Sequence, residues 1–178
     1  MTSDEALGVP GRERELMQVE RLARDVFGAD VDLDGPILGI TDDDIVAPDL
    51  KSLLRSPTTT LASHTENGEV IGFSLAIPIG EFNPGRAAES DETAYIYFTG
   101  IEPSRQGEGV VGSVMDDMLG QLTEKGYRFV ERDCVIENGY ADKVEQQYHG
   151  AIVEQYDHTR FPEFGPERFF RIDLHNIQ

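Results

Sequence analysis

A glycine-rich segment carries the clearest chemical signal in the sequence. Gly107, Gly109 and Gly112 belong to the run Ile101-Glu102-Pro103-Ser104-Arg105-Gln106-Gly107-Glu108-Gly109-Val110-Val111-Gly112, between an apolar β-rich segment and an amphipathic helical pattern. With few side chains in the way, successive backbone N–H groups of such a strand-to-helix turn can point at one anion, and the positive end of the helix dipole adds to the attraction. The segment therefore predicts a binding turn for a phosphate group.

Two other phosphate-binding patterns overlap this segment. The letters from Gly107 to Gly112 fit the dinucleotide fingerprint G-x-G-x-x-G, and the acidic residues Glu131 and Asp133 follow about 20 residues later, where a ribose-binding carboxylate would lie. In that fingerprint the first glycine follows its strand directly, whereas five residues intervene here, so a nicotinamide-dependent oxidoreductase is the least favoured alternative. The kinase loop G-x-G-x-x-G-x-V is rejected, because a helical pattern follows and neither H-R-D nor D-F-G occurs.

The periodicity of apolar residues predicts the elements that position this turn. It predicts helices over residues 12–27, 45–54, 109–125 and 140–148, and strands over 58–64, 70–78, 93–101, 127–136, 152–160 and 168–174. Asn67-Gly68 indicates a hairpin between the first two strands. The helix after the glycine-rich segment connects two parallel strands. We therefore expect an α/β protein with a mixed, mostly antiparallel sheet of six to seven strands, flanked by helices.

The composition limits the class of protein. The chain has 178 residues, so we expect one domain over residues 12–178 after a flexible tail at 1–11. One cysteine, Cys134, excludes an internal disulfide and a multi-thiolate metal site, and the histidines show no metal-ligand spacing. No secretory pattern opens the sequence, and no stretch approaches the roughly 20 apolar residues of a membrane span. A cytoplasmic protein without membrane contact is expected.

The charge of the chain is strongly negative. Asp and Glu number 34 against 15 Lys and Arg, a formal net charge of −19, which argues against a nucleic-acid partner. The acidic residues are scattered, and Lys51, Lys125 and Lys143 are the only lysines. This pattern resembles the proteins of salt-accumulating halophiles, whose cytoplasm screens the self-repulsion of so many charges. An attraction for cationic substrates is the competing explanation.

The glycine-rich segment also resembles the central motif of the GCN5-related N-acetyltransferase (GNAT) superfamily. In that motif an apolar residue ends a strand, and x-Pro-x-x-[Arg/Gln]-x-x-Gly-x-[Gly/Ala] runs into a helix; Ile101, Pro103, Gln106 and Gly109 occupy those places. Val111 departs from the last position of the motif. The order of predicted elements agrees as well. The resemblance implies the acyl-CoA N-acyltransferase fold and direct transfer of an acetyl group from acetyl-CoA to a primary amine of a small molecule or peptide.

The resemblance also implies the residues that hold acetyl-CoA. The loop amides would bind its pyrophosphate, and the backbone at the end of the third strand would pair with its pantetheine arm. Glu108 stands where many members carry a basic or neutral residue, and Gly100 is expected to allow a close approach or a bulge that splays the neighbouring strand. No metal is implied. The implied binding residues are Thr99, Gly100, Ile101, Gln106, Gly107, Glu108, Gly109, Val110, Val111, Gly112 and Asn138.

Catalytic candidates follow from the same resemblance. Family members often use an Asn after the parallel strand and a Tyr on the next helix, and Asn138 and Tyr148 match those places, with Tyr140 a nearer alternative for the tyrosine. The tyrosine would donate a proton to the leaving thiolate. Either Glu131 or Asp133 could take the proton of the amine through water; alternatively, both carboxylates belong to structural ion pairs.

The remaining expectations concern the acceptor and partners. The amine should enter beside residues 39–44 and 161–166, and the acceptor cannot be named from the sequence. The aromatic-rich final strand at 168–172 could supply the face of a homodimer. A CoA-binding domain of the same fold that has lost catalysis is the alternative function.

Overall fold

The computed structural model describes residues 8–28, 49–160 and 162–177. Over these ranges the α-helices are Gly8–Phe27 (α1), Leu50–Arg55 (α2), Ile79–Phe82 (α3), Val110–Glu124 (α4) and Tyr140–Tyr148 (α5). The strands are Thr60–Glu66 (β1), Glu69–Pro78 (β2), Thr93–Ile101 (β3), Phe129–Val135 (β4), Ile152–His158 (β5) and Glu167–Asp173 (β6). Short 3₁₀ turns lie at Pro84–Glu89, Pro103–Arg105, Pro162–Phe164 and Leu174–Asn176.

Most of these elements agree with the sequence-based predictions to within a few residues. Helix α1 begins at Gly8, four residues before its predicted start, and helix α2 covers only the end of the predicted second helix, whose residues 45–48 lie outside the described ranges. Asp49 caps α2, because its carboxylate accepts a hydrogen bond from the Ser52 amide at 2.8 Å. Helix α3 and the turn after it were not predicted, since a four-residue helix is too short to show a periodicity.

The strands form one mixed sheet in the order β1-β2-β3-β4-β6-β5. All neighbouring pairs are antiparallel except β3 and β4, which are parallel and joined by the crossover helix α4. The predicted hairpin is confirmed: Asn67 and Gly68 have φ values of 51° and 81°, the positive values that a two-residue turn of type I′ needs. The predicted fold class is therefore confirmed.

Helices cover both faces of this sheet and bury a core on each. The face under α4 and α5 buries mainly Ala62, Ile71, Ile96, Val110, Val114, Met115, Met118, Leu122, Val130, Cys134, Val144, Tyr148, Phe170 and Ile172. The face under α1, α2 and α3 buries mainly Leu16, Val19, Leu22, Leu50, Leu54, Phe73, Leu75, Ile77, Phe82, Tyr95 and Phe98. Side chains of a strand alternate between these faces, so neighbouring residues of β4 belong to different environments.

A gap opens between the two parallel strands. Strand β3 pairs with β4 only over Thr93, Ala94 and Tyr95, although it pairs with β2 as far as Ile101. A β-bulge lies at Tyr97, because Leu75 is opposite Phe98 whereas Ala76 is opposite Ile96. The end of β3 is therefore left with one edge unpaired by β4.

Gly100 is in register and is not the site of this bulge. It pairs with Phe73, and a Cβ atom built on it would lie 2.7 Å from Cε1 of that ring. The expectation of a bulge at Gly100 is thus wrong, because the extra residue of β3 is Tyr97. The group that approaches Gly100 closely in the structure is the Phe73 ring, and a close approach of a ligand there stays a prediction.

Replacing Gly100 by alanine is expected to destabilise the protein by about 1–3 kcal/mol, since the fully buried Phe73 ring cannot move without disturbing the core. Urea unfolding measures the change. Gly120→Ala is the matched control: Gly120 lies inside α4 with no atom within 4 Å of an added Cβ, and alanine should stabilise the helix by roughly 0.5–1 kcal/mol. Equal unfolding midpoints for the two variants would contradict this account of Gly100.

The final strand lies inside the sheet rather than at its surface. Strand β6 is hydrogen-bonded to β4 on one side and β5 on the other, and Phe169 and Phe170 are 4% and 0% exposed. The prediction of a dimer face on this strand is therefore wrong, because its edges and aromatic side chains are already used; dimerisation itself stays a prediction. Among the residues described, no helix combines the length and apolar character that crossing a membrane requires.

Candidate functional site

The glycine-rich segment forms an open turn between β3 and α4. The Glu102 amide donates to the Ile71 carbonyl at 2.9 Å, which fixes the start of the turn on β2, and Pro103–Arg105 makes one 3₁₀ turn. Gly107 and Gly109 then adopt φ values of 86° and 85°, and no atom lies within 4 Å of where their Cβ atoms would be. This left-handed backbone is accessible mainly to glycine, so the two glycines determine the path of the turn.

Most backbone N–H groups of this turn have no acceptor among the residues that the structure describes, the exceptions being those of Glu108 and Gly112. Within the described part of the chain, neither backbone nor side-chain acceptors are found for the amides of Gln106, Gly107, Gly109, Val110 and Val111. The first amides of a helix have no partner within the helix, and their positive end attracts anions. These five amides, which we call the amide cradle, are placed to donate hydrogen bonds to an anion, and phosphate binding there stays a prediction.

The charged side chains of the turn are bound to each other. Arg105 Nε donates to Glu108 at 2.6 Å, and its Nη2 donates to Glu66 at 2.8 Å. Glu108 therefore lies against a cation, which offsets its negative charge beside the amide cradle. Val111 packs partly against the core under α4, and Gly112 has open space around its Cα.

The end of β3 offers a second polar feature beside the amide cradle. Thr99, Gly100 and Ile101 pair with β2, but their other edge is not used by β4 in the described structure. The Thr99 hydroxyl lies 3.0 Å from the Ser74 hydroxyl. Backbone groups on such an edge can hydrogen-bond to an extended ligand in the way that they would to another strand.

Tyr148 has a buried hydroxyl without a partner. Its side chain lies at the end of α5 and is 6% exposed, and its oxygen makes no hydrogen bond within the described residues. Burial raises the pKa of Tyr148 to about 12, with Tyr140 and Asp116 adding to the rise and Arg132 opposing it. An unpaired buried hydroxyl is costly and therefore marks a place where a ligand can supply the missing partner.

The other tyrosine of this helix is already engaged. The Tyr140 hydroxyl accepts a hydrogen bond from Nη1 of the buried Arg132 at 3.0 Å, and the Arg132 guanidinium lies 4.8 Å from the Tyr140 ring centre. Between the two tyrosines that the sequence suggested, Tyr148 is the one whose hydroxyl is available.

Asn138 lies at the start of α5. Its side-chain oxygen accepts a hydrogen bond from the Tyr140 amide at 3.0 Å, and the residue is exposed. This contact satisfies one of the first amides of the helix, so the amide oxygen has a structural partner. A role of Asn138 toward a ligand stays a prediction.

Glu131 lies in the middle of a network of ion pairs. Its carboxylate, 2% exposed, accepts two hydrogen bonds from Arg86 at 2.7 and 2.8 Å and one from Arg171 at 2.5 Å. Arg86 also binds Glu89 and lowers the pKa of that carboxyl to about 2. The ion-pair alternative foreseen for this residue is what the structure contains.

Asp133 is held by three donors on the same face of the sheet. Its buried carboxylate contacts His158 Nε2 and Arg160 Nη1, each at 2.6 Å, and accepts a hydrogen bond from the Tyr95 hydroxyl at 2.5 Å. Burial raises the pKa of that tyrosine, so its hydroxyl remains a donor. Unlike Glu131, Asp133 is joined to a side chain that can itself accept a proton, namely the imidazole of His158.

A cavity of about 210 Å³ lies beside Glu131 and Arg160, the arginine that binds Asp133, on the face that also carries α3. Its aromatic walls are Phe82, Tyr156 and Phe169; Phe82 stacks on Tyr95 and Tyr156 stacks on Phe169. The full lining is Ile79, Phe82, Asn83, Arg86, Glu131, Glu154, Tyr156, Arg160 and Phe169. The described residues contain no group of three side chains arranged to bind a metal ion.

Sequence reasoning missed several residues of this face. Arg86, His158 and Arg160 meet the two carboxylates of β4, yet they lie 25 to 45 positions away from them in the chain. The alternation of β5, which places Glu154, Tyr156 and His158 on one face, is the signal that could have grouped them. Of the predicted entry segments, residues 39–44 and Phe161 lie outside the described residues.

Comparison with known proteins gives a structural but no sequence match. No protein-family model matches the sequence, and no curated protein matches it. Aminoglycoside 6'-acetyltransferase type Ii matches the structure with a TM-score of 0.60 at 13% identity, over 89% of this chain and 89% of that one. A mutant of agmatine N-acetyltransferase in its apo form gives a TM-score of 0.58 at 14% identity, over 89% and 94% of the two chains.

A third similar structure contains a ligand. The acetyltransferase yncA from Salmonella typhimurium, solved with its cofactor acetyl-CoA, gives a TM-score of 0.55 at 16% identity, over 75% of this chain and 80% of that one. The similarity of these three structures to the present one, at such low identity, shows a common fold. The chain has the fold of the GNAT N-acetyltransferases.

Proposed function

We propose that this protein is an N-acetyltransferase that moves an acetyl group directly from acetyl-CoA to a primary amine of an unidentified small molecule or peptide. The observation that carries the proposal is the amide cradle: five backbone amides that have no acceptor among the described residues, at the positive end of α4 and beside a strand edge that β4 does not pair with. The GNAT fold and the acetyl-CoA found in a structure of the same fold support it.

The residues of the cleft fit the parts of acetyl-CoA. The five amides of the cradle, within the turn from Gln106 to Gly112, would bind its pyrophosphate, and Arg105 holds the Glu108 side chain. The backbone of Thr99, Gly100 and Ile101 would hydrogen-bond to the pantetheine arm. Asn138 would lie beside the same arm. Acetyl-CoA supplies a thioester, whose carbonyl carbon accepts the amine.

Tyr148 would donate the proton that the CoA thiolate needs when it leaves. With its pKa raised to about 12, its hydroxyl keeps the proton at neutral pH, and the atom that donates it is Oη. Glu131 or Asp133 was expected to accept the proton of the amine. Both carboxylates are ion-paired to arginine, and Asp133 differs in also contacting a histidine, His158.

The acceptor side of the proposal is supported by the cavity beside β4. Its aromatic walls and the exposed carboxylate of Glu154 suit a positively charged amine. Two of the similar structures are named for reactions on amine-bearing compounds, an aminoglycoside and agmatine. We propose an amine of this general kind, without naming it.

Acetyl-CoA is expected to raise the melting temperature of the protein, because a ligand bound only by the folded state stabilises it by about 2.7 kcal/mol at one hundred times its Kd. Thermal unfolding is measured in concentrated KCl with acetyl-CoA, CoA or NAD, since the net charge of −19 calls for screening. A rise with NAD alone would favour the dinucleotide alternative and overturn the proposal.

A glycine pair tests the amide cradle itself. Gly109→Ala should lower the affinity for acetyl-CoA about tenfold or more, because a residue that avoids positive φ turns amides away from the phosphate. Gly126→Ala is the control: Gly126 also has a positive φ, 91°, and open space, but it lies at the far end of α4. Isothermal titration calorimetry should show the loss for Gly109 alone; equal affinities would mean that the turn does not bind the cosubstrate.

A further inference from the structure

We propose that His158 is the general base that takes a proton from the acceptor amine, and that Asp133 is the residue that positions it. The inference rests on the proposed acetyl transfer and adds a residue that the sequence did not suggest. It is carried by the 2.6 Å hydrogen bond between His158 Nε2 and the Asp133 carboxylate, and by two neighbours of that pair, Tyr156 and Arg160, which line the cavity.

The cavity and His158 lie on the same face of the sheet. Glu154, Tyr156 and His158 alternate along β5 toward that face, and the first two line the cavity. The rings of Tyr156 and His158 are in edge contact, with centres 5.4 Å apart. The His158 side chain is 20% exposed, so it is accessible to a small molecule while one side of its ring is fixed.

The Asp133 contact determines which ring nitrogen is free. A carboxylate that accepts hydrogen bonds at each oxygen needs donors around it, and Asp133 already accepts from Arg160 Nη1 at 2.6 Å and from the Tyr95 hydroxyl. Nε2 of His158 must therefore carry the proton in the neutral ring, and Nδ1 keeps its lone pair. Nδ1 has no hydrogen-bond partner among the residues that the structure describes. A neutral imidazole held by a carboxylate at one nitrogen and open at the other is equipped to accept a proton.

The polar groups around the imidazole come from strands β3, β4 and β6 and from the segment that follows β5. Asp133 lies on β4, Glu167 is the register partner of His158 on β6, and Tyr95 of β3 donates to Asp133. Arg160, just after β5, binds Asp133 through its side chain and Glu167 through its amide at 3.3 Å. The Asp133 carboxylate is therefore shared between the imidazole and the Arg160 guanidinium, and Glu167 lies opposite His158 on the neighbouring strand.

The proton balance of the step is complete. The ammonium form of the acceptor gives one proton to Nδ1, and the electrons of that N–H bond become the lone pair that forms the new C–N bond. The C–S bond breaks with its electrons on sulfur, and the sulfur takes the proton of Tyr148 Oη. The acceptor nitrogen then loses its second proton, which passes through water to Tyr148 Oη. His158 then releases its proton to solvent, so the step needs no further reactant.

His158→Gln tests the role of the base. With 1,4-diaminobutane and n-butylamine as acceptors, kcat/KM at neutral pH should fall about 10²–10⁴-fold. The loss should shrink as the pH approaches about 10, where amines lose their proton without help. His175→Gln, at an exposed histidine near the C-terminus, should leave turnover unchanged. Asp133→Asn should produce a similar loss, and the double variant should lose no more than His158→Gln alone. A loss that is equal at every pH, or smaller than about threefold, would overturn the proposal.

A second measurement does not depend on the acceptor. Nitrogen-15 NMR of the histidine rings in the neutral form should show His158 protonated at Nε2, and the signal of Nδ1 should shift when either amine is added with CoA. Protonation at Nδ1 would overturn the proposal even in an active enzyme. Acetyl-CoA binding is measured on the same samples, so the absence of binding identifies a failure of the proposed function, whereas binding with Nδ1 protonated identifies a failure of this inference alone.

Discussion

Tyr148→Phe is expected to lower kcat for acetyl transfer by about 10²–10⁴-fold while the affinity for acetyl-CoA stays within a factor of about two. The change removes one oxygen atom, and that oxygen is the only buried tyrosine hydroxyl on α5 without a hydrogen bond in the described structure. Because its pKa is raised to about 12, the Tyr148 hydroxyl is still protonated at pH values where other tyrosines begin to ionise. The fall in kcat should therefore be the same from neutral pH up to those values. Steady-state release of CoA thiol measures kcat, and calorimetry measures the affinity.

The stability of the same variant provides an independent readout. An unpartnered buried hydroxyl is a cost to the folded state, so phenylalanine at position 148 should leave the unfolding free energy unchanged or slightly higher. Tyr140→Phe is the discriminating variant: it breaks the contact with Arg132 Nη1 and should lower stability more than kcat. Tyr127→Phe, on the loop after α4, should alter neither. If Tyr148→Phe keeps full turnover, Tyr148 is not the acid; if the wild-type protein binds acetyl-CoA but turns over no amine, the CoA-binding alternative is favoured.

Glu131→Gln is expected to cost about 1.5–3 kcal/mol of unfolding free energy, because it leaves Arg86 and Arg171, which are 28% and 19% exposed, with one carboxylate, Glu89, in place of two. Glutamine has nearly the same volume as glutamate, so the loss reports charge rather than packing. Urea unfolding measured at a fixed salt concentration gives the value, since exposed ion pairs elsewhere on this acidic surface respond to salt.

Glu154→Gln is the matched control for that substitution. Glu154 faces the same side of the sheet and, like Glu131, is a register partner of Arg171, but it is exposed and is not ion-paired within the described residues. Its replacement should change stability by no more than about 0.5 kcal/mol. A small effect at Glu131 with a large loss of kcat would mean that Glu131 is the base, and it would contradict the role given to His158.

The predictions from sequence were most accurate where local interactions decide the conformation. The Asn67-Gly68 turn, the alternation of the strands and the helix after Gly109 each depend on residues within one or two turns of the backbone. Their bounds could therefore be predicted without knowing what packs against them. The bulge at Tyr97 was misplaced, because a bulge is defined by the register with a partner strand, here β2.

The candidate site also has a part that local interactions determine and a part that depends on distant strands. The amide cradle could be derived from the sequence, since the left-handed conformations at Gly107 and Gly109 and the unpaired first amides of α4 are local consequences of the chain. The environment of the carboxylates on β4 could not, because β6 inserts between β4 and β5 and brings His158 to Asp133 across 25 positions, while Arg86 reaches Glu131 across 45. The sequence alone thus determined where the backbone leaves a group of amides without acceptors, the place where we propose that a phosphate binds. Only the tertiary structure decided which carboxylate is held by arginines, which one orients a histidine and which tyrosine hydroxyl is left available, since these depend on the order in which distant strands pair.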